Sequence, residues 1–122
     1  MAKAERFEDL RIWQEARRLA NTVYDLTESV RDFGFNDQIR RAATSAMNNI
    51  AEGFERRTDA DFANFLSIAK GSAGEVRSML YLSEDRKYVA PESAAKTRED
   101  YSSLSAGIAQ LAKFLRRKPD GK

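Results

Sequence analysis

Cysteine and histidine are both absent from this 122-residue chain. Those two absences exclude most familiar active-site chemistry. Ser-His-Asp and Cys-His catalysis lack their base or their nucleophile. Zinc sites lack imidazole and thiolate, and di-iron bundles lack the histidine of their Glu-x-x-His pairs. Disulfides are impossible. Only carboxylate, lysine, tyrosine and hydroxyl chemistry remains, so no cofactor or metal is expected. Proline is also scarce: Pro91 and Pro119 are the two present, and neither interrupts a periodic segment. No apolar run approaches the roughly 20 residues that span a bilayer. Met1 to Glu8 carries charge without an apolar stretch, unlike a signal peptide, and the cytoplasm is the expected location.

What is present is amphipathic. Apolar residues make up 42% and charged residues 33%, the balance of a chain that folds around a core. Residues 1–122 are expected to form one all-α domain, an antiparallel up-down four-helix bundle. Helical periodicity recurs four times, over about 9–30, 37–56, 59–86 and 92–118. In the first segment Trp13, Ala16, Ala20, Val23, Thr27 and Val30 follow 3-4 spacing. Gly34 is expected to supply a positive φ after it. Asn36 is then expected to cap the second helix, whose stripe of Ile39, Ala42, Ala43, Ala46, Met47, Ile50 and Phe54 is rich in alanine. Thr58 opens the third helix, with Asp61 three residues on. In the fourth, Tyr101, Leu104, Ile108, Leu111 and Leu115 step as a left-handed bundle seam, and Pro119 stops it. Short connections force neighbouring helices antiparallel.

Three features stand apart from the core pattern. Gln38, Arg41, Ser45, Asn49 and Glu52 form a row beside the second helix's stripe. Short, neutral hydrogen-bonding groups of this kind suit a half-buried interface, within the bundle or between subunits; a solvated face is the plainer reading. Gly71 and Gly74 lie in a strongly helical segment, where glycine is costly. They suggest a flat strip for close packing; a phosphate loop would need GxxxxGK[ST] after a strand. Third, arginines come in pairs at 17–18, 40–41 and 56–57, and the chain's last ten residues hold Lys113, Arg116, Arg117, Lys118 and Lys122 against Asp120. Net charge is only +2, so these patches reflect distribution. Surface ion pairing with Glu15, Asp37, Glu52 and Glu55 and a solubilising end compete with phosphate contact.

Several of these stretches resemble one family. Phe7-Glu8-Asp9-Leu10 followed by Trp13-Gln14 and Ala16 is similar to its first-helix signature. Gln38-Ile39-Arg40-Arg41-Ala42-Ala43, Ser45 and Asn49-Ile50-Ala51-Glu52-Gly53 resemble its second. Phe62, Phe65-Leu66, Ala69, Gly71-Ser72 and Glu75 resemble its third. The family is the four-helix-bundle proteins encoded in intervening sequences of bacterial 23S ribosomal RNA genes, and the resemblance covers about residues 7 to 118. It implies a four-helix bundle assembled as a homopentameric ring. The related accessory variability determinants of diversity-generating retroelements form pentamers that associate with reverse transcriptase and nucleic acid, which implies RNA or DNA contact by analogy. The chain departs from the family in its compact Phe33-Gly34-Phe35 link, where a longer connection with a Tyr-Gly-Leu element is common.

The resulting expectation is a non-enzymatic, homo-oligomeric binding module. Nucleic-acid contacts fall to Arg40, Arg56, Arg57, Lys113, Arg116 and Arg117. Interface contacts fall to Gln38, Arg41, Ser45, Asn49, Glu52, Gly71, Gly74 and Glu75. The alternative is a structural or adaptor bundle that binds another protein and no nucleic acid. A third, lesser reading is a carboxylate pair such as Glu52 and Glu75 holding a hard cation. The core assignment is testable at once: Leu66→Ala or Leu111→Ala is expected to cost about 2–5 kcal/mol in chemical denaturation, and an unchanged midpoint would remove either residue from the core.

Overall fold

The computed structural model describes residues 4–117. It contains α1 (Arg11–Thr27), α2 (Phe33–Phe54), α3 (Asp59–Asp85) and α4 (Pro91–Arg117), with a 3-10 turn at Phe7–Asp9 before them. No strand occurs among the described residues. The helices pack as a four-helix bundle in ring order: α1 on α2, α2 on α3, α3 on α4, and α4 back on α1 through a slighter seam. The diagonal pairs α1/α3 and α2/α4 make no backbone approach. No described helix is long and apolar enough to cross a membrane.

The helix ends follow local chemistry. Thr58 caps α3, its hydroxyl accepting from the Asp61 N–H at 3.1 Å. Asp59 and Asp61 put negative charge on that helix's positive end. Pro91 occupies the first position of α4, where its fixed φ and missing donor cost nothing. α3 ends in a paired-carbonyl closure: the Lys87 N–H donates to Glu84 O at 3.0 Å and the Tyr88 N–H to Ser83 O at 2.8 Å. Lys87 takes the left-handed conformation this demands, with φ at 61°, a position glycine more often fills.

The link between α1 and α2 corrects the sequence reading. α1 stops at Thr27, three residues short of expectation, and α2 begins at Phe33, so Phe33-Gly34-Phe35 is its first turn. The N-cap is Asp32, whose carboxylate accepts from the Phe35 N–H at 3.1 Å. Gly34 therefore has an ordinary helical role, and none of the described glycines has positive φ. Asn36 is buried instead, donating to Val30 O at 2.8 Å and Thr27 O at 3.4 Å. It closes the carbonyl end of α1, and Val30 is buried beside it although outside the helix. At the N-terminal side, Phe7–Asp9 form the 3-10 turn, and α1 begins two residues later than expected.

The core forms where the four stripes meet. Leu19, Val23, Ile39, Ile50, Leu66, Leu80, Tyr101 and Ile108 are essentially removed from solvent. Leu111 is only partly buried against this cluster, so its truncation falls at the low end of the range above, and Leu66 carries the fuller cost. Trp13 and Phe62 likewise lie at the core's margin. Tyr101 places its hydroxyl among apolar neighbours without a hydrogen-bond partner, and burial pushes its ionisation well above the ordinary tyrosine range.

The glycines divide sharply. A Cβ at Gly53 would lie 2.7 Å from Phe65 Cβ and 2.9 Å from Phe62 Cδ1, so this glycine permits the tight turn from α2 into α3. At Gly71 and Gly74 a Cβ would meet nothing within 4 Å; inside one bundle no helix lies against them. Gly53→Ala is therefore expected to destabilise despite alanine's better helix propensity. Gly71→Ala and Gly74→Ala are each expected to stabilise the isolated bundle by about 0.5–1 kcal/mol. Thermal or urea unfolding checks the opposite signs.

Candidate functional site

The polar row of α2 faces α3. Ser45 Oγ lies 2.8 Å from Ser72 Oγ, and Asn49 Nδ2 donates to both the carbonyl and the hydroxyl of Ser45. One end of the row is tied by Gln38 Nε2 donating to Glu75 Oε2 at 3.3 Å. Gln38, Arg41 and Glu52 are exposed, and Ser45 and Asn49 are half-buried. The structure thus gathers Gln38, Ser45, Asn49, Ser72 and Glu75 into one seam, with Gly71 and Gly74 uncovered on its α3 side. Arg41 turns to Asp37 at 3.0 Å and Glu52 to Arg56 at 2.9 Å.

Glu52 and Glu75 do not share a site. Glu75 is level with Gln38, and the 14 residues from Gln38 to Glu52 extend about 21 Å along α2. Among the described residues no group of three or more acidic side chains could hold a metal ion.

The basic residues separate into two places. Antiparallel packing brings the end of α2, the start of α3 and the end of α4 to one end of the bundle, so Arg56, Arg57, Lys113, Arg116 and Arg117 share that end. There a groove of about 320 Å³ runs between α3 and α4. Its floor is Leu66, Ile108, Ala109 and Ala112; Lys70, Lys113, Arg116 and Arg117 rim it, and no carboxylate lines it. Arg116 Nη2 reaches Ser67 Oγ at 3.4 Å. Arg56 is less available, stacked 4.6 Å from the Phe65 ring centroid while paired to Glu52.

Arg40 lies elsewhere. It sits in the opposite half of α2, with Nε donating to Thr27 Oγ1 at 2.9 Å and its guanidinium 4.7 Å from the Tyr24 ring centroid. This is the side of a larger groove, about 750 Å³, between α1 and α2. Tyr24, Phe33, Arg40, Thr44, Ser45 and Asn48 line it, together with Glu28 and the Asp37–Arg41 pair. Phe33 is 70% exposed there.

Residues 8–110 match the family described as the 23S rRNA-intervening sequence protein. The chain belongs to that family. A solved structure from Bacteroides thetaiotaomicron, a protein of unknown function from the S23 ribosomal protein family, is similar to it with a TM-score of 0.78. The two are 24% identical over 84% of this chain and 98% of that one, a likeness of fold. The chain matches no curated protein.

Within this member of the 23S rRNA-intervening sequence protein family, two lining residues stand outside every feature the sequence singles out: Lys70 and Tyr24. Lys70 follows Ser67 by three residues on the flank of the α3 stripe. Setting the start of α3 beside the end of α4 would have placed both against Arg116. Tyr24 lies one position off the α1 stripe. Phe33 falls in a link in the sequence analysis because the helix start expected there, at residue 37, is four residues late.

The clasp that fixes that start is titratable. Tyr88 donates its hydroxyl to Asp32 Oδ2 at 2.7 Å, and Phe35 N–H bonds the other oxygen. The tyrosine hydroxyl foremost, then the backbone donor, hold the Asp32 carboxyl below its usual range. Lys96, followed by Arg18, does the same for Asp100. A carboxyl lowered in the folded state stabilises above its unfolded pKa, and that contribution is lost as pH falls through the folded value. Tyr88→Phe is therefore expected to be less stable than wild type at neutral pH. The gap is expected to narrow as pH drops from about 6 to about 2, in urea unfolding at each pH.

Proposed function

We propose that this chain is a non-enzymatic, homo-oligomeric bundle that contacts nucleic acid through the basic end of its helices. The observation that carries the reading is the α3–α4 groove, where four cations stand round a shallow cleft free of carboxylates. Paired surface charges offer little to a polyanion. Lys70, Lys113 and Arg117 are in no ion pair among the described residues, and Arg116 meets only a serine hydroxyl. Sequence-independent phosphate contact needs cations of this kind, set along one surface.

Assembly is supported by a second surface. Beside the uncovered Gly71 and Gly74, α3 presents Ile68 at 52% and Leu82 at 46% exposure. With Glu75 and Ser78 between them, these positions recur at helical spacing on one face. The ring of five copies that the family implies would bury this strip against another subunit. Its site of action is the cytoplasm, in keeping with a chain free of cysteine.

One observation favours the adaptor alternative: the groove's apolar floor of Leu66, Ile108 and Ala112 suits an acidic amphipathic helix of another protein. Salt dependence separates the two. Binding of a structured RNA, followed by fluorescence anisotropy, is expected to weaken with a log–log salt slope of about −3 to −4 if four phosphates are met. Lys113→Glu combined with Arg116→Glu is expected to lower both affinity and slope. Absent binding or a flat slope would reject the nucleic-acid reading, and a light-scattering mass near the 13.8 kDa of one chain would reject the assembly.

A further inference from the structure

We infer that the groove between α1 and α2 receives an unpaired nucleobase from a single-stranded segment of the bound nucleic acid. The inference rests on the nucleic-acid reading above and adds a second subsite to it, with different chemistry. The α3–α4 groove offers positive charge on an apolar floor, which suits a phosphate backbone. The α1–α2 groove offers aromatic faces, a fixed guanidinium plane and short polar groups, which suit a base.

The parts are in place before any ligand arrives. Phe33 projects from the first turn of α2 with 70% of its surface exposed, and Tyr24 stands at 46% across from it on α1. The Arg40 guanidinium is held by its bond to Thr27 Oγ1 and its contact with the Tyr24 ring. Bases splayed from a strand stack on such rings and guanidinium planes. The groove, at about 750 Å³, falls within the roughly 300–1,000 Å³ typical of small-ligand clefts.

Its electrostatics argue against a backbone there. Arg41 is spent on Asp37, and Glu28 adds a carboxylate to the rim. Phosphates would be repelled by that carboxylate, whereas the amino edge of a base donates to one. Asn48 adds an amide on the α2 side, and Thr44 and Ser45, whose hydroxyls already bond Arg40 O and Ser72, add polar lining. In the ring order of the helices the α1–α2 seam lies across the bundle from the α3–α4 seam, so a strand that occupies both grooves passes round the bundle.

The test uses the full chain, a 12-nucleotide single-stranded RNA carrying 2-aminopurine, and a blunt duplex of the same sequence. Wild type is expected to quench the reporter on binding. Phe33→Ala is expected to abolish the quenching and weaken single-strand affinity about tenfold. Its duplex affinity and salt slope should stay unchanged. Arg40→Lys, which keeps the charge and loses the plane, is expected to behave like Phe33→Ala. If both variants bind and quench as wild type does, while Lys113→Glu with Arg116→Glu still abolishes binding, the base subsite is overturned and the basic groove stands. Failure of wild type to bind either probe overturns both readings. A fall in assembled mass with Phe33→Ala overturns the subsite by making the groove a contact between copies.

Discussion

Alanine at the α2–α3 seam is the constraint on which the other arrangements rest. Ala46, Ala69 and Ala73 are fully buried, and a methyl group at each lets the two backbones approach. At Gly53 the approach of Phe62 and Phe65 leaves no room even for a Cβ. Larger side chains on this seam would separate the helices and pull apart Ser45 and Ser72, whose hydroxyls touch at 2.8 Å. They would also tilt α3 against α4 and change the groove that Lys70 and Arg116 share. The position of the polar groups is thus set by the size of apolar ones.

The two grooves follow from the same antiparallel geometry. Each is walled by two helices, so neither could be formed by a single one. The α3–α4 groove exists because residue 67, two turns into α3, is level with residue 116, at the end of α4. The α1–α2 groove exists because Asp32 starts α2 early and Asn36 closes the end of α1. A bond of 2.7 Å from Tyr88 to Asp32 joins the α3–α4 connection to that corner. Asp32 and Asn36 beside it, and Tyr88 from a distant part of the chain, thereby fix where Phe33 projects.

The architecture was legible in the sequence because it depends on periodicity. The spacing of Tyr101, Leu104, Ile108 and Leu115 carries a helix without reference to anything outside it, and Thr58 with Asp61 marks a helix start locally. The corner at residues 28–36 was not legible in this way. Asp32 and Asn36 are both good caps, and the choice between them is made by tertiary contacts: Tyr88 bonds Asp32, and the carbonyls of Thr27 and Val30 claim Asn36. Arg40, Arg56 and Arg117 looked alike in sequence. Pairing divides them, since a guanidinium stacked on Tyr24 or tied to Glu52 has a different use from one at an open groove. Gly71 and Gly74 announced a packing strip, yet the strip faces outward, which no single-helix pattern distinguishes.

The slight seam between α1 and α4 has a consequence for how the molecule breathes. At 17 residues α1 is ten shorter than α3 or α4, and it is held chiefly through α2. Its detachment exposes one stripe while the α2–α3–α4 sheaf keeps its own interior, so opening there is a partial event of lower free energy than global unfolding. Amide hydrogens of α1 would then exchange with solvent through that partial opening, ahead of those in the other three helices. A copy whose α1 has swung out also offers its vacated side to the α1 of a neighbour, the geometry of segment exchange between chains.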